Sequence, residues 1–244
     1  FLTDGGAPSR IWLSLFLVGA SSALVWYLLQ RKGNILSIKG QMKEEPLRPR
    51  LHFWEQMLHS TWQIIAVGAG APVGKEGAPR EIGALLAPPL GRVLDLSFQD
   101  RMFLIACGAG AGLAAVYQVP LTSVFFIFET LGLAFSIKRF VLAGITTYVA
   151  AYTAGWVISD RALYQVSEIT WSPTVLWQML IGIVILTPVT WLFSRFTKKA
   201  SIYRIKDKRM LITLPLAFVF LASLASFQPH LLGNWRMMAQ EILN

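Results

Sequence analysis

The sequence predicts an all-α polytopic membrane protein, and three observations lead there. Of its 244 residues 55% are hydrophobic and only 14% charged, whereas an ordinary soluble domain carries about 25% charged residues. Several apolar runs approach twenty residues without a formal charge, the length that spans a bilayer core of about 30 Å. The basic residues gather directly behind such runs, in the pattern of positive-inside loops. Disorder is excluded, because it needs low hydrophobicity. With Cys107 as the one cysteine, neither a disulfide framework nor a thiolate zinc site is available.

The elements follow in order. Ile11–Gln30 is a clean span, with Trp12 near one end and Trp26 and Tyr27 near the other as interfacial anchors. Behind it stand Arg31, Lys32, Lys39, Lys43, Arg48 and Arg50. A helix restarts near Leu51. From Ser60 to Gly74 the chain is apolar but too short and glycine-rich for a simple span. It runs into GAGAPVGKEGAPREIG at 68–83, with a helix expected to start near Gly77. Leu85–Leu96 is apolar and interrupted by Pro88 and Pro89. Phe103–Val119 is an apolar run containing GAGAG at 108–112. Pro120 breaks it, and Leu121–Phe135 follows with Glu129 inside. Val141–Ile158 reads as a span, then comes a short loop with Asp160, Arg161 and Glu168. Trp171–Phe193 is the longest run, with a kink expected at Pro188. A second basic group (Arg195, Lys198, Lys199, Arg204, Lys206, Lys208 and Arg209) precedes a last span, Leu211–Phe227.

The net charge of +9 is therefore a topology signal. Neither basic group interleaves aromatics for base stacking, so nucleic acid is not an expected partner. The first residue is Phe with no n-region before it, so the chain reads as a processed product or, preferably, a fragment of something longer. Residues 1–244 form one transmembrane unit. Spans of unequal length, broken at mid-depth by Gly and Pro, imply a channel or transporter, because broken helices expose backbone groups where ions bind.

Within 68–83, Lys75, Glu76 and Arg80 lie in an otherwise apolar region. A charge at bilayer depth costs at least about 2.5–3.5 kcal/mol, so it marks a functional site by default. Gly74 and Gly77 flank Glu76 and leave its backbone uncovered. A helix beginning near Gly77 offers free N–H groups and a dipole that favour an anion. Glu76 then occupies a place that suits an anion, and a carboxylate that leaves on protonation makes a gate. The backbone amides of Lys75, Glu76, Gly77 and Ala78 are the candidate anion donors. A phosphate-binding loop is excluded, since Ala69 and Glu76 stand at two of its anchor positions. A dinucleotide loop fails at Leu113, and the glycines at 108–112 are better explained by close helix packing in lipid.

GKEGAPREIG at 74–83 and GAGAGLAAVYQVPLTSVFFIFE at 108–129 closely resemble two motifs of the CLC chloride channels and transporters, in the right order and spacing. The order of spans from 11 to 227 follows that family too. The resemblance implies an inverted-repeat helical bundle with broken, partly re-entrant helices, incomplete in this chain. It also implies a homodimer at full length, in a plasma or inner membrane. The family's G-x-F-x-P loop and central tyrosine fall outside the sequence. Three positions depart from the family. Ala78 replaces the motif proline, with Pro79 one place later, a mild change early in a helix. Lys32–Leu36 replaces the family's first anion loop, so that Gly33 takes its serine position and only Asn34 or Ser37 can substitute. Thr130 follows Glu129 where exchangers of the family usually carry a second glutamate. The resemblance thus implies a channel or exchanger for chloride or a similar small anion, without a cofactor and not an enzyme. Thr130 favours passive conduction over anion/proton antiport, because a hydroxyl cannot take up a proton near neutral pH.

Two further readings remain open. Glu129 either serves proton or ion transit or pairs with Lys138 or Arg139. His52, Glu55 and His59 share one helix face and raise a rival class, a membrane metallo-hydrolase. They lack the H-E-x-x-H pattern, and a polar stripe at the membrane surface is the plainer account. The charge pattern makes one prediction. In sealed cells, cysteines placed at 159–170 are labelled from outside and those at 195–209 are not; labelling at 195–209 overturns the topology.

Overall fold

The computed structural model describes residues 8–31, 35–43, 51–157, 172–203, 205, 207–228 and 232. Among these residues it is helical, without strands. The order is α1 (Pro8–Gln30), α2 (Ile38–Lys43), α3 (Leu51–Gly68), α4 (Gly77–Val93), α5 (Phe98–Tyr117), α6 (Pro120–Phe125), a π-turn (Phe126–Thr130), α7 (Ile137–Gly155), α8 (Pro173–Ile202) and α9 (Met210–Phe227). Four of them, α1, α5, α8 and α9, are long and apolar enough to cross a membrane.

Local chemistry sets the boundaries. Ser97, Ser136 and Ser172 each accept a backbone N–H three residues on, which starts α5, α7 and α8. Gln118 takes a left-handed conformation (φ 57°) and stops α5. Pro120 then stands at the first position of α6, where its missing N–H has no partner to lose.

The helices correct the sequence reading in several places. Pro88 and Pro89 do not interrupt the apolar run that contains them; α4 passes through both. The Ser60–Gly74 stretch is helical up to Gly68 and turns only afterwards. The Leu121–Phe135 run is two short pieces, because the backbone widens into the π-turn and then reverses at Gly132 (φ 77°). Helix α7 starts at Ile137, four residues before the expected Val141, and takes Lys138 and Arg139 into its first turn. Within it Thr146, Thr147 and Thr153 each return a hydroxyl to a carbonyl one turn back.

Two packing centres result. One joins α1 to α9 and to the end of α3. Phe218 presses on Gly19, where a Cβ would meet the ring's Cβ at 2.6 Å. Trp12 Nε1 donates to Ser226 Oγ (3.1 Å), Trp62 Nε1 to Ser22 Oγ (2.9 Å) and Ser14 Oγ to the Ala69 carbonyl (2.9 Å). The other surrounds α5, with Phe103, Ile105, Ala106, Val124 and Ile127 at its core. There α4 and α5 touch backbone to backbone. A Cβ on Gly108 would fall onto the Gly83 carbonyl, one on Gly83 onto the Gly108 carbonyl, and one on Gly112 onto the Pro79 carbonyl.

Such contacts cannot yield as a side chain can. Gly108→Ala is expected to destabilise the protein by about 1–3 kcal/mol, the usual range for overpacking. Gly144→Ala, at a position with nothing within 4 Å, is expected to be neutral or stabilising, since alanine is the better helix former. Thermal unfolding in detergent separates the two. Equal midpoints would mean that the α4–α5 contact is not tight.

Candidate functional site

The site forms where α3 ends and α4 begins. Gly70 (φ 105°) and Gly74 (φ 72°) carry the chain around a turn that side-chain-bearing residues rarely make. Gly74 is needed twice over, because a Cβ there would meet Glu76 Oε2. The Glu76 carboxylate folds back over that glycine, so it does not cap its own helix. The amides of the first turn of α4 thus receive no side-chain acceptor from Glu76, as an anion site at a helix start requires. Pro79 falls in this first turn, where a missing N–H breaks no helical bond. The exchange of Ala78 for proline therefore leaves the helix start intact.

Four side chains hold the turn. The Tyr117 hydroxyl, at the last residue of α5, donates a short hydrogen bond to Glu76 Oε1. Lys75 Nζ lies 4.7 Å from the centroid of the same tyrosine ring. Arg80 Nε donates to the Glu76 carbonyl (2.8 Å) while its guanidinium covers the Phe126 ring at 5.4 Å. Gln63 of α3 reaches the Gly74 carbonyl at 3.5 Å. Beside the turn is a cavity of about 260 Å³ lined by Gln63, Ile64, Lys75, Ala78, Pro79 and Val116, among others. A carboxylate and uncapped helix amides at the turn, with Lys75 lining the apolar cavity beside it, can bind a small anion and exchange it for the carboxylate.

Lys75, Glu76, Gly77 and Ala78 are thus brought together. Gly33 and Asn34 lie outside the described residues. Ser37, the other candidate in that loop, accepts the Gly40 amide (3.2 Å) and acts locally at the start of α2. Glu129 and Thr130 lie on the π-turn and are exposed. The expected pairing of Glu129 with Lys138 or Arg139 is not formed among the described residues. Arg139 donates instead to the Ala134 carbonyl (3.5 Å) and covers the Phe103 ring at 5.7 Å. The two elements meet through their aromatic rings instead, Phe128 stacking on Phe140 at 6.1 Å. The metallo-hydrolase grouping gains nothing: the His52 side chain lies outside the described residues, and His59 faces Glu81 across α3 and α4 at 3.4 Å. Among the described residues no three metal-ligating side chains converge.

Two residues near the site escape sequence reasoning. Tyr117 had only its position at the end of the glycine-rich helix to mark it. Glu81 follows Arg80 directly, and a second carboxylate five residues after Glu76 was the available signal.

Fold and site together define a multi-pass membrane protein in which a broken helix pair sets charged side chains beside an apolar pocket. The chain belongs to the voltage gated chloride channel family, whose family model matches residues 17–244. It is similar to the H(+)/Cl(-) exchange transporter ClcA of Cronobacter sakazakii, 30% identical over 204 residues, covering 77% of this chain and 42% of the relative. The corresponding transporter of Citrobacter koseri is 30% identical over 187 residues, 70% of this chain and 38% of the relative. The chain thus spans about two fifths of these relatives' length. Among solved structures, a slow cyanobacterial Cl-/H+ antiporter has a TM-score of 0.75 at 22% identity, over 91% of this chain and 55% of that one. A CLC-type fluoride/proton antiporter has a TM-score of 0.61 at 19% identity, over 90% and 65%. The two curated relatives are named exchangers, in contrast to the passive conduction that Thr130 suggests.

Proposed function

We propose that the complete protein, as a homodimer, exchanges chloride for protons across the membrane. The anion binds at the amides of Lys75, Glu76, Gly77 and Ala78, and Glu76 is the protonatable gate. The observation that carries this reading is the Glu76 carboxylate beside an uncapped helix start, held from the side by Tyr117. Ionised, the carboxylate competes with chloride for the positive end of α4. Protonated, it loses that attraction and yields the place to the anion, so carboxylate and anion exclude each other and a proton decides between them. The names of the relatives support the proton half of the reading, which the lone hydroxyl at Thr130 does not.

The decisive measurement is the reversal potential of the complete protein in vesicles under an imposed pH gradient. A proton-coupled exchanger departs from the chloride Nernst potential as the gradient changes. Glu76→Gln is expected to keep anion flux and lose both that departure and most of the pH dependence. A wild-type reversal fixed at the chloride Nernst potential would refute exchange, and a Glu76→Gln variant with unchanged pH dependence would refute the gate.

Tyr117→Phe removes a hydrogen bond to a charged group, worth about 1.5–3 kcal/mol. Released from Tyr117, the ionised carboxylate can swing onto the free amides of α4 and compete with the anion, and chloride flux near neutral pH is expected to fall by about tenfold or more. A flux equal to or above wild type would show that Tyr117 does not hold the carboxylate off the anion site.

A further inference from the structure

Helix α4 carries a second carboxylate inside the bundle, and the anion site does not use it. Glu81 Oε2 accepts from Ser60 Oγ (2.8 Å) and Gln56 Nε2 (3.3 Å), with His59 Nδ1 at 3.4 Å. The histidine contact is within ion-pair reach but misaligned for a hydrogen bond, and Nδ1 is buried without a hydrogen-bond partner. Trp26 Nε1 and Gln30 Oε1 are buried and unpartnered as well. All three residues line one cavity of about 540 Å³ between α1, α3 and α9, together with Gln63, Tyr203 and Thr213. A base that lines a cavity rimmed by unsatisfied polar atoms, with an acid directly behind it, makes a place for a mobile proton.

Its position along the membrane normal follows from the chain. Gln30 precedes Arg31, and Tyr203 and Met210 flank the basic residues 204–209, so the cavity lies at the cytoplasmic end of the bundle. Helix α3 leaves the basic segment ending at Arg50. Helix α4 runs back beside it, since Gln56 and Ser60 meet Glu81 while Gln63 meets Gly74. Glu81 is therefore on the cytoplasmic side of Glu76. Gln63 borders both this cavity and the one beside Lys75.

We infer that His59 and Glu81 form a second proton-binding site, loaded from the cytoplasm through the cavity between α1, α3 and α9, which serves the proton route that Thr130 cannot. This assignment rests on the exchange reading above. A proton from the cytoplasmic side adds to Nδ1 of neutral His59. The imidazolium passes it to Glu81 Oε2, which leaves a neutral imidazole and a neutral carboxyl, and Ser60 turns its hydroxyl to suit. The surroundings add little competing charge. Trp26 and Gln30 face the cavity from α1, Thr213 and Leu214 from α9, and Tyr203 from the end of α8. On α4 itself, Arg80 is engaged by the Glu76 carbonyl and the Phe126 ring. Glu55, one turn before His59 on α3, has an interaction of its own. From the α2 side the contact is the Leu36 amide, which donates to Gln56 Oε1 at 3.0 Å.

The test records chloride and proton fluxes together for the full-length protein in vesicles. Glu81→Gln and His59→Phe are expected to keep chloride flux within about twofold of wild type while proton flux falls about tenfold or more. Ser60→Ala, which removes a donor but no titratable group, is expected to keep both fluxes. Undiminished proton flux in Glu81→Gln, or chloride and proton fluxes falling in step in all three variants, overturns the assignment. Infrared titration gives a second readout. A carboxyl C=O band that appears on acidification in wild type and is missing from Glu81→Gln supports the site; an unchanged band overturns it. A wild type that moves no protons refutes the exchange reading and the route, and the infrared band then decides the proton site by itself.

Discussion

The backbone contact between α4 and α5 is the constraint on which the rest of the site depends. Gly83, Gly108 and Gly112 let the two helices approach until carbonyls occupy the space a Cβ would need. In lipid such closeness is a main source of helix association, because apolar side chains gain little by leaving one another for hydrocarbon tails. The contact also fixes a distance. Tyr117 ends α5 just where Glu76 begins α4, and their hydrogen bond exists because the helix axes are held that close. Widen the pair by one methyl group and the tyrosine withdraws from the carboxylate.

Charge inside an apolar bundle is tolerated here by local compensation. Lys75 lies over the Tyr117 ring, Arg80 returns to the Glu76 carbonyl, and Glu81 collects Ser60, Gln56 and His59. A charged group at such depth remains expensive even when partnered. The four charges lie within seven residues of one another, at a helix start whose dipole already favours negative charge. That concentration gives α4 two carboxylates with different surroundings. Glu76 sits over a glycine turn beside uncapped amides; Glu81 is enclosed by neutral donors and a histidine.

The outer helices follow a different rule. No residue of α8 is buried against the described residues, and its exposed Leu, Ile, Val, Trp and Phe side chains face outward on every side. A helix apolar all round is a membrane span or a buried one. With the chain spanning about two fifths of its curated relatives' length, surface of this kind is available for lipid and for the remainder of a complete protein alike.

The sequence by itself determined the membrane class, the main spans, the family and the position of Glu76. Those features rest on apolar run length, on where basic residues fall and on a compact local motif, all written in consecutive residues. Its errors were also local: Pro88 and Pro89 look like breakers until α5 supports the helix that contains them, and the Leu121–Phe135 run looks continuous until the π-turn divides it. Tertiary structure alone decided who meets whom. Tyr117 reaches Glu76 across 41 positions, and His59 faces Glu81 across two helices. Neither pairing follows from spacing, because helix periodicity reports which face a residue occupies and not which helix arrives opposite it. The glycines that set the approach of α4 to α5 supplied that missing information.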